Sequence, residues 1–342
     1  MKDKRKLDNS KSNFKVTKKI KRNILNLKKI INIKSGVINY SICIPTTIID
    51  NCCNLEQVSF TAYQIAKTAV LFNIQEIIVL DMSKDKKHER QPRSKETISD
   101  CLLLATLLQY FVTPPNLVDV TFKKKHRSYL KYAFTFPPLG QLPFMNEPAD
   151  ETYIEGLSIA EQTSEKDISD ENLTSLVYIG KNNTIKLSSQ NIPKTVRVTV
   201  DTLRKKVVSP RDAYKDTQLG YYVRMASSLD EVSGGCTETL WVNSGDYHYD
   251  ETLSKYRKAE TKLPYITAIQ KGSALDTPCN ILLIFGKWTH LKRCLKRSDL
   301  ESSALHDFFS GQLQFPGTVP QGKLAIQDSL QIALTMLQHW AS

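Results

Sequence analysis

From Val37 to Asp81 the chain reads VINYSICIPTTIIDNCCNLEQVSFTAYQIAKTAVLFNIQEIIVLD. Its opening, VINYSICIP, is rich in β-branched and apolar residues and stops at Pro45, which marks a strand. Between Leu55 and Asn73 the period changes: Ala62, Ile65, Ala66, Ala69 and Phe72 fall on one stripe at helical spacing. Glu76–Asp81, EIIVLD, is then an unbroken apolar run ending in an acid. Strands of parallel sheets read this way because both faces are buried. Strand, helix and strand in so short a stretch make one crossover unit, and the fold class is α/β.

Downstream of this unit, Thr97–Phe111 reads as a second helix closed by Pro114-Pro115. Pro137, Pro138, Pro143 and Pro148 then interrupt any regular element. Glu147–Glu171 carries nine Asp or Glu against one Lys. Short strand-like pieces follow at Ser175–Ile179, Thr184–Leu187, Thr195–Val200 and Lys206–Val208, with a turn at Asn182-Asn183. Strands without intervening helices predict a small β-barrel inserted at residues 146–212. The α/β pattern resumes over 213–342 with strands at Tyr221–Met225, Pro264–Ile269 and Asn280–Phe285. Leu229–Val232 starts a short helix, and a terminal helix runs over Gly322–Trp340. The first α/β part is 37–145.

Upstream, residues 1–36 hold thirteen Lys or Arg and two Asp, which accounts for nearly all of the chain's net charge of +12. The remainder of the 342 residues is close to neutral. This is a basic tail, with apolar residues near helical spacing over Val16–Ile33 (Ile20, Ile24, Leu27, Ile30, Ile31). It predicts a polyanion partner or a nuclear address. The tail has no apolar core of a secretory signal. No run reaches the length a membrane span needs, so no membrane partner is expected. Seven cysteines without a CxxC pair fit free thiols in a reducing compartment, and no metal site is expected.

The chain lacks GxxxxGK[ST], GxGxxG after its first strand, HExxH and GxSxG, which weighs against P-loop, dinucleotide, zinc-hydrolase and α/β-hydrolase chemistry. Its late glycines follow strands: Gly286 after ILLIF, Gly272 after YITAI, and Gly317 in the loop FPGTVPQG before the last helix. Glycine lets backbone approach a ligand closely. Ligands of open α/β sheets sit outside the strands' carboxyl ends.

Ser41–Asp81 resembles the opening of the SPOUT-type RNA methyltransferases, with strand, proline, a helix carrying QIA, and EIIVLD. The resemblance continues at Phe122–His126 (FKKKH), Arg197–Val200 (RVTV), Val207–Arg211 (VVSPR) and Tyr222–Ser227 (YVRMAS). It ends with Ile284–Gly286, Pro316-Gly317 and the final helix, so it covers the chain from about Val37 onward. It implies an α/β domain with a C-terminal trefoil knot, an OB-like insertion, S-adenosyl-L-methionine as cofactor and RNA, chiefly ribosomal RNA, as substrate, with uridine as a target base. It also implies a nucleolar location and a dimer, either a homodimer or a heterodimer with a paralogue.

Carried over residue by residue, Phe285 and Gly286 stand on the first knot loop. Phe315, Pro316, Gly317, Thr318 and Val319 stand on the loop around the cofactor, and Gly272 and Ser273 on a third loop. Arg224 is the candidate catalytic residue, contacting the target nucleotide. RNA would be held by Lys123, Lys124, Lys125, Arg197, Arg204, Lys205, Lys206 and the tail, with Tyr129, Tyr132 and Phe134 as candidate stacking residues. The alternative is a catalytically inactive RNA-binding factor of large-subunit ribosome assembly on the same fold. A reading without the family link is a nuclear scaffold that binds proteins through Glu147–Glu171.

Overall fold

The computed structural model describes residues 28–82, 98–145, 152–160, 172–215, 219–232, 234–244, 247–250, 253–259, 261–274, 277–295, 304–315 and 324–341. These divide into two compact units. The first takes the described residues of 1–48, 80–87 and 226–342, and the second those of 49–79 and 88–225.

The first unit opens with β1 (Lys28–Ser35) and β2 (Ile38–Pro45). The helical stripe expected over Val16–Ile33 therefore gives way to a strand over its last residues. Three isoleucines in KKIINIKS favour extended backbone, since their branched Cβ atoms crowd a helical turn. Ile31, Ile33 and Ser35 turn inward, while Lys28, Ile30, Asn32 and Lys34 face out. The rest of the stripe lies outside the described residues, as do the basic clusters before Leu27.

The second unit begins with α1 (Leu55–Leu71). Asn54 caps it: its side chain accepts from the Gln57 N–H at 2.9 Å, and the Gln57 side-chain oxygen accepts from the Cys53 N–H at 2.7 Å. This reciprocal pairing satisfies donors that the first helical turn leaves orphaned. Strand β3 (Ile74–Leu80) and helix α2 (Asp100–Phe111) follow, the latter capped by Ser99. Both helices and β3 match the sequence expectation to within a few residues. A run of short 3-10 turns carries the chain from Pro115 to Met145, in line with its prolines.

Next come β4 (Tyr153–Ser158), β5 (Leu173–Thr174), β6 (Leu176–Gly180), β7 (Asn183–Lys186), β8 (Ile192–Pro193), β9 (Arg197–Asp201), β10 (Lys206–Val208) and β11 (Tyr222–Ala226). Five of them form an antiparallel sheet in the order β10-β9-β4-β6-β7, and β5 pairs with β8. The β6–β7 turn uses Lys181 and Asn182, both at positive φ, one residue earlier than expected. That is the backbone a two-residue hairpin requires. Val177, Leu187 and Val200 form this sheet's core, with Ile154 and Ile185 packed against it. Within the second unit Asn116 fastens the sheet: its side-chain amide donates to the carbonyls of Glu155 and Ile179, both at 2.8 Å.

The chain returns to the first unit with β12 (Glu238–Asn243), β13 (Tyr247–Asp250), β14 (Lys255–Lys258), β15 (Tyr265–Ala274), β16 (Cys279–Ile284), α3 (Trp288–Leu295), β17 (Gly311–Gln314) and α4 (Ile326–Ala341). Its sheet runs β1-β15-β17-β12-β16-β2, and every pair is parallel. Leu240, Trp241 and Val242 of β12 and Ile281 to Ile284 of β16 are buried, as a sheet covered on both faces demands. The inward face of α4, with Leu330, Ala333, Leu334 and Leu337, is buried, and the helix packs on β15. The order is not sequential. Strand β17, the last in the chain, lies between β15 and β12, while β16 lies on the other side of β12.

Candidate functional site

In the first unit the carboxyl ends of four neighbouring strands finish close to one level. Cys43 of β2 and Trp241 of β12 both stand opposite Ile284, and Asn243 of β12 stands opposite Gln314 of β17. The rim they make consists of Pro45, Asn243, Phe285-Gly286 and Phe315. Open parallel sheets bind their ligands at this edge.

Gly286 is fixed by its surroundings. Its φ is +129°, a region closed to side chains, and a Cβ there would come within 3.3 Å of the Pro45 ring. Its carbonyl accepts a 3.0 Å hydrogen bond from the Trp241 indole N–H. Phe285, held by a 2.9 Å bond from its N–H to the Cys43 carbonyl, is buried, and so is Phe315. Trp288 opens α3 and turns inward, 3% exposed, with its ring centroid 4.9 Å from that of Trp241. The Trp288 ring is therefore core packing and leaves the rim clear, while Lys287 before it is exposed. Asn243 and Gln312 support the rim from below. The Asn243 amide donates to Gln312 at 3.0 Å, and Gln312 donates to the Leu263 carbonyl at 2.7 Å. Nearby in the same unit, Met82 N–H donates to the Thr46 hydroxyl at 2.9 Å and Asp81 N–H to the Ala226 carbonyl at 2.8 Å.

With no side chain at Gly286, the backbone at this edge is open to close approach by a flat ligand, the room an adenosyl group needs. Pro316, Gly317, Thr318 and Val319, expected on the same edge, lie outside the described residues.

The third expected loop is corrected. Strand β15 runs on through Gly272 and Ser273 to Ala274, paired with β1. A Cβ at Gly272 would collide with the Lys34 carbonyl oxygen. The glycine admits the neighbouring strand at an irregular point of the pairing. The sequence offers a partial signal: Lys271, Gly272 and Ser273 continue YITAI without a turn-forming pair.

The remaining candidates fall in the second unit. Arg224 of β11 donates to both carboxylate oxygens of Glu76 on β3, at 2.8 and 3.3 Å. Both side chains keep partial contact with solvent. Arg197 is built into a polar network around Glu155, which is only 3% exposed. The Arg197 Nε donates to Glu155 at 2.6 Å and its Nη1 to the Val112 carbonyl at 3.2 Å, with the guanidinium over the Phe144 ring. Thr199 and Tyr214 hydroxyls donate to the same carboxylate at 2.5 and 3.1 Å. Burial and the Glu155 charge push the Tyr214 phenol well up. Sequence reasoning pairs Arg197 with RNA and misses Glu155, whose signal is an acid inside a strand segment.

Lys123, Lys124 and Lys125 are exposed at the start of a 3-10 segment. Arg204, Lys205 and Lys206 are exposed on and beside the β9–β10 hairpin, where Lys205 takes positive φ at the turn. Burial, with Cys279 beside it, pushes the phenol of Tyr40 in the first unit up to about 12. None of the seven cysteines forms a disulfide. Among the described residues there is no cluster of three or more metal-ligating side chains, and no helix is long and apolar enough to cross a membrane.

Comparison with known proteins adds three findings. The profile of the family described as "Putative RNA methyltransferase" matches residues 39–337. Two Saccharomyces cerevisiae proteins, each described as a putative methyltransferase, align over most of both chains. One is 72% identical over 325 residues, covering 95% of each chain, and the other 34% identical over 324, covering 91% of this chain and 96% of its own. A human 28S rRNA (uridine-N(3))-methyltransferase is 29% identical over 208 residues, which is 56% of this chain and 53% of its own length.

Proposed function

The chain belongs to the putative RNA methyltransferase family, and from that premise we propose that it is an S-adenosyl-L-methionine-dependent methyltransferase acting on uridine in ribosomal RNA. The human relative's described reaction supports the substrate. The observation that carries the proposal is the placement of β17 between β15 and β12. It brings Phe315 to the strand-end rim that holds Gly286. The five-stranded antiparallel sheet over 153–208 supports the OB-like insertion.

When bound, the cofactor supplies an activated methyl group on its sulfonium. The chain's part is positional. Gly286 keeps the rim open, the buried rings of Phe285 and Phe315 give it a rigid floor, and the Asn243–Gln312 pair holds β12 and β17 level. Such a site works by orienting its two substrates. Arg224, kept in one direction by Glu76, is proposed to contact the target nucleotide. Lys123, Lys124 and Lys125, the hairpin residues Arg204, Lys205 and Lys206, and the basic residues of 1–36 are proposed to bind phosphates, and the tail to direct the chain to the nucleolus. A dimer, of two copies or with a paralogue, completes the proposal.

Isothermal titration of the full chain with S-adenosyl-L-methionine tests the cofactor step. Saturable heat is expected, weakened at least several-fold in Gly286→Ala, whose new methyl is strained by the backbone and meets Pro45. Absence of heat at saturating ligand would refute it. The second reading, an inactive RNA-binding assembly factor, is favoured by one observation: Gly272 and Ser273 are strand, which removes one of three expected cofactor loops. Retained RNA binding without donor binding would select it.

A further inference from the structure

We propose that the exposed face of α1 and the segment 121–145, both in the second unit, form a stacking platform for single-stranded RNA. The inference rests on the reading of this chain as an RNA-acting protein and names a surface for that substrate. Between Thr121 and Met145 the sequence has four lysines and one arginine, no Asp or Glu, and six Phe or Tyr. The fold gathers these rings with others. Phe136 stacks nearly parallel on Tyr63, with centroids 5.1 Å apart and planes at 17°, and Phe60 sits 5.9 Å from Phe136. Phe111 lies edge-on to Tyr63, and Tyr110 joins Phe111 to Phe134 at 5.1 Å. The network is continuous, yet its two ends are open to solvent: Phe60 is 48% and Phe134 54% exposed.

Beside these rings an open groove of about 290 Å³ is lined by Tyr63, Lys67 and residues 138–141. Phe60, Tyr63, Lys67 and Leu71 succeed one another at helical spacing along one face of α1, which sets a single cation, Lys67, one turn beyond the two rings. Lys131 stands 4.7 Å over the Tyr132 ring.

Half-exposed phenylalanines held by packed neighbours lose little freedom when a base stacks on them. Every base offers a π-face, so recognition of this kind tolerates sequence. Arg127 is ion-paired to Asp119, so the four lysines of the segment and Lys67 are the cations that attract the phosphates between the bases. A protein partner would have to bring acidic charge to the same spacing, whereas a nucleic acid strand does so by its own repeat.

The test is fluorescence anisotropy of the full chain with a short labelled oligouridine. Phe60→Ala and Phe134→Ala are each expected to weaken binding about tenfold, while Phe60→Tyr and Phe134→Tyr keep it. Lys67→Gln should flatten the slope of log affinity against log salt by about 0.7. Thermal unfolding of the two tyrosine variants and of Lys67→Gln should match the parent, while the alanine variants should melt cooperatively a few degrees lower, because about half of each ring is packed against its neighbours. Unchanged affinity in both alanine variants, with the parent binding RNA, would overturn the platform and leave the methyltransferase reading standing. Unchanged affinity together with an altered mass in light scattering would show the face to be a self-association surface, which also overturns it. A parent chain that binds neither oligouridine nor ribosomal RNA would sink the functional reading itself.

Discussion

Glu155 shows how much one side chain organises. It is buried, and Arg197, Thr199 and Tyr214 all direct donors at its carboxylate. Removing one partner of a buried ion pair leaves the other charge stranded, at a cost of about 3 kcal/mol. Glu155→Ala should therefore lower the stability of the full chain by about that amount in urea denaturation, whereas Arg204→Ala, on an exposed side chain, should change it by less than about 0.5 kcal/mol. Equal effects would mean the network contributes nothing. At this scale the sequence is partly legible. Gly286 is singled out by its place after a strand, and its positive φ and the nearby Pro45 ring explain why no other residue serves. The inward engagement of Arg197 is not legible, because charge in a strand looks like a surface feature until its buried partner is known.

Among the elements, those with strong periodicity are legible in the sequence: α1, α2, β2, β3 and β16 all fall where apolar spacing puts them. Strand β12, the centre of the first unit's sheet, escapes such a reading because ETLWVN is short and has no alternating pattern, although Gly234-Gly235 and Ser244-Gly245 bracket it; β17, GQLQ, has one aliphatic residue. Their positions come from pairing across the sheet and not from local preference. Strand β1 looks helical because Ile30, Ile31 and Ile33 satisfy either period. Gly272 tests the pairing of β1 with β15. In Gly272→Val the new side chain collides with the Lys34 backbone, so β1 must separate from β15. The melting temperature should fall by several degrees, on the order of 2 kcal/mol. Donor affinity should stay unchanged. Lost donor affinity with unchanged melting would restore the loop reading.

The whole molecule combines a parallel sheet with a strand-end rim and a smaller antiparallel sheet in a chain whose net positive charge is concentrated in residues 1–36. The order and spacing of moderately specific motifs make the family legible. The strand order is not, since inserting β17 between β15 and β12 leaves no mark in local sequence. The most direct measurement is transfer of labelled methyl from S-adenosyl-L-methionine to ribosomal RNA by the purified full chain, followed by nucleoside analysis. The account predicts label in a methylated uridine, lost in Gly286→Ala. RNA that stays unlabelled at saturating donor, although the chain binds it, would contradict the account.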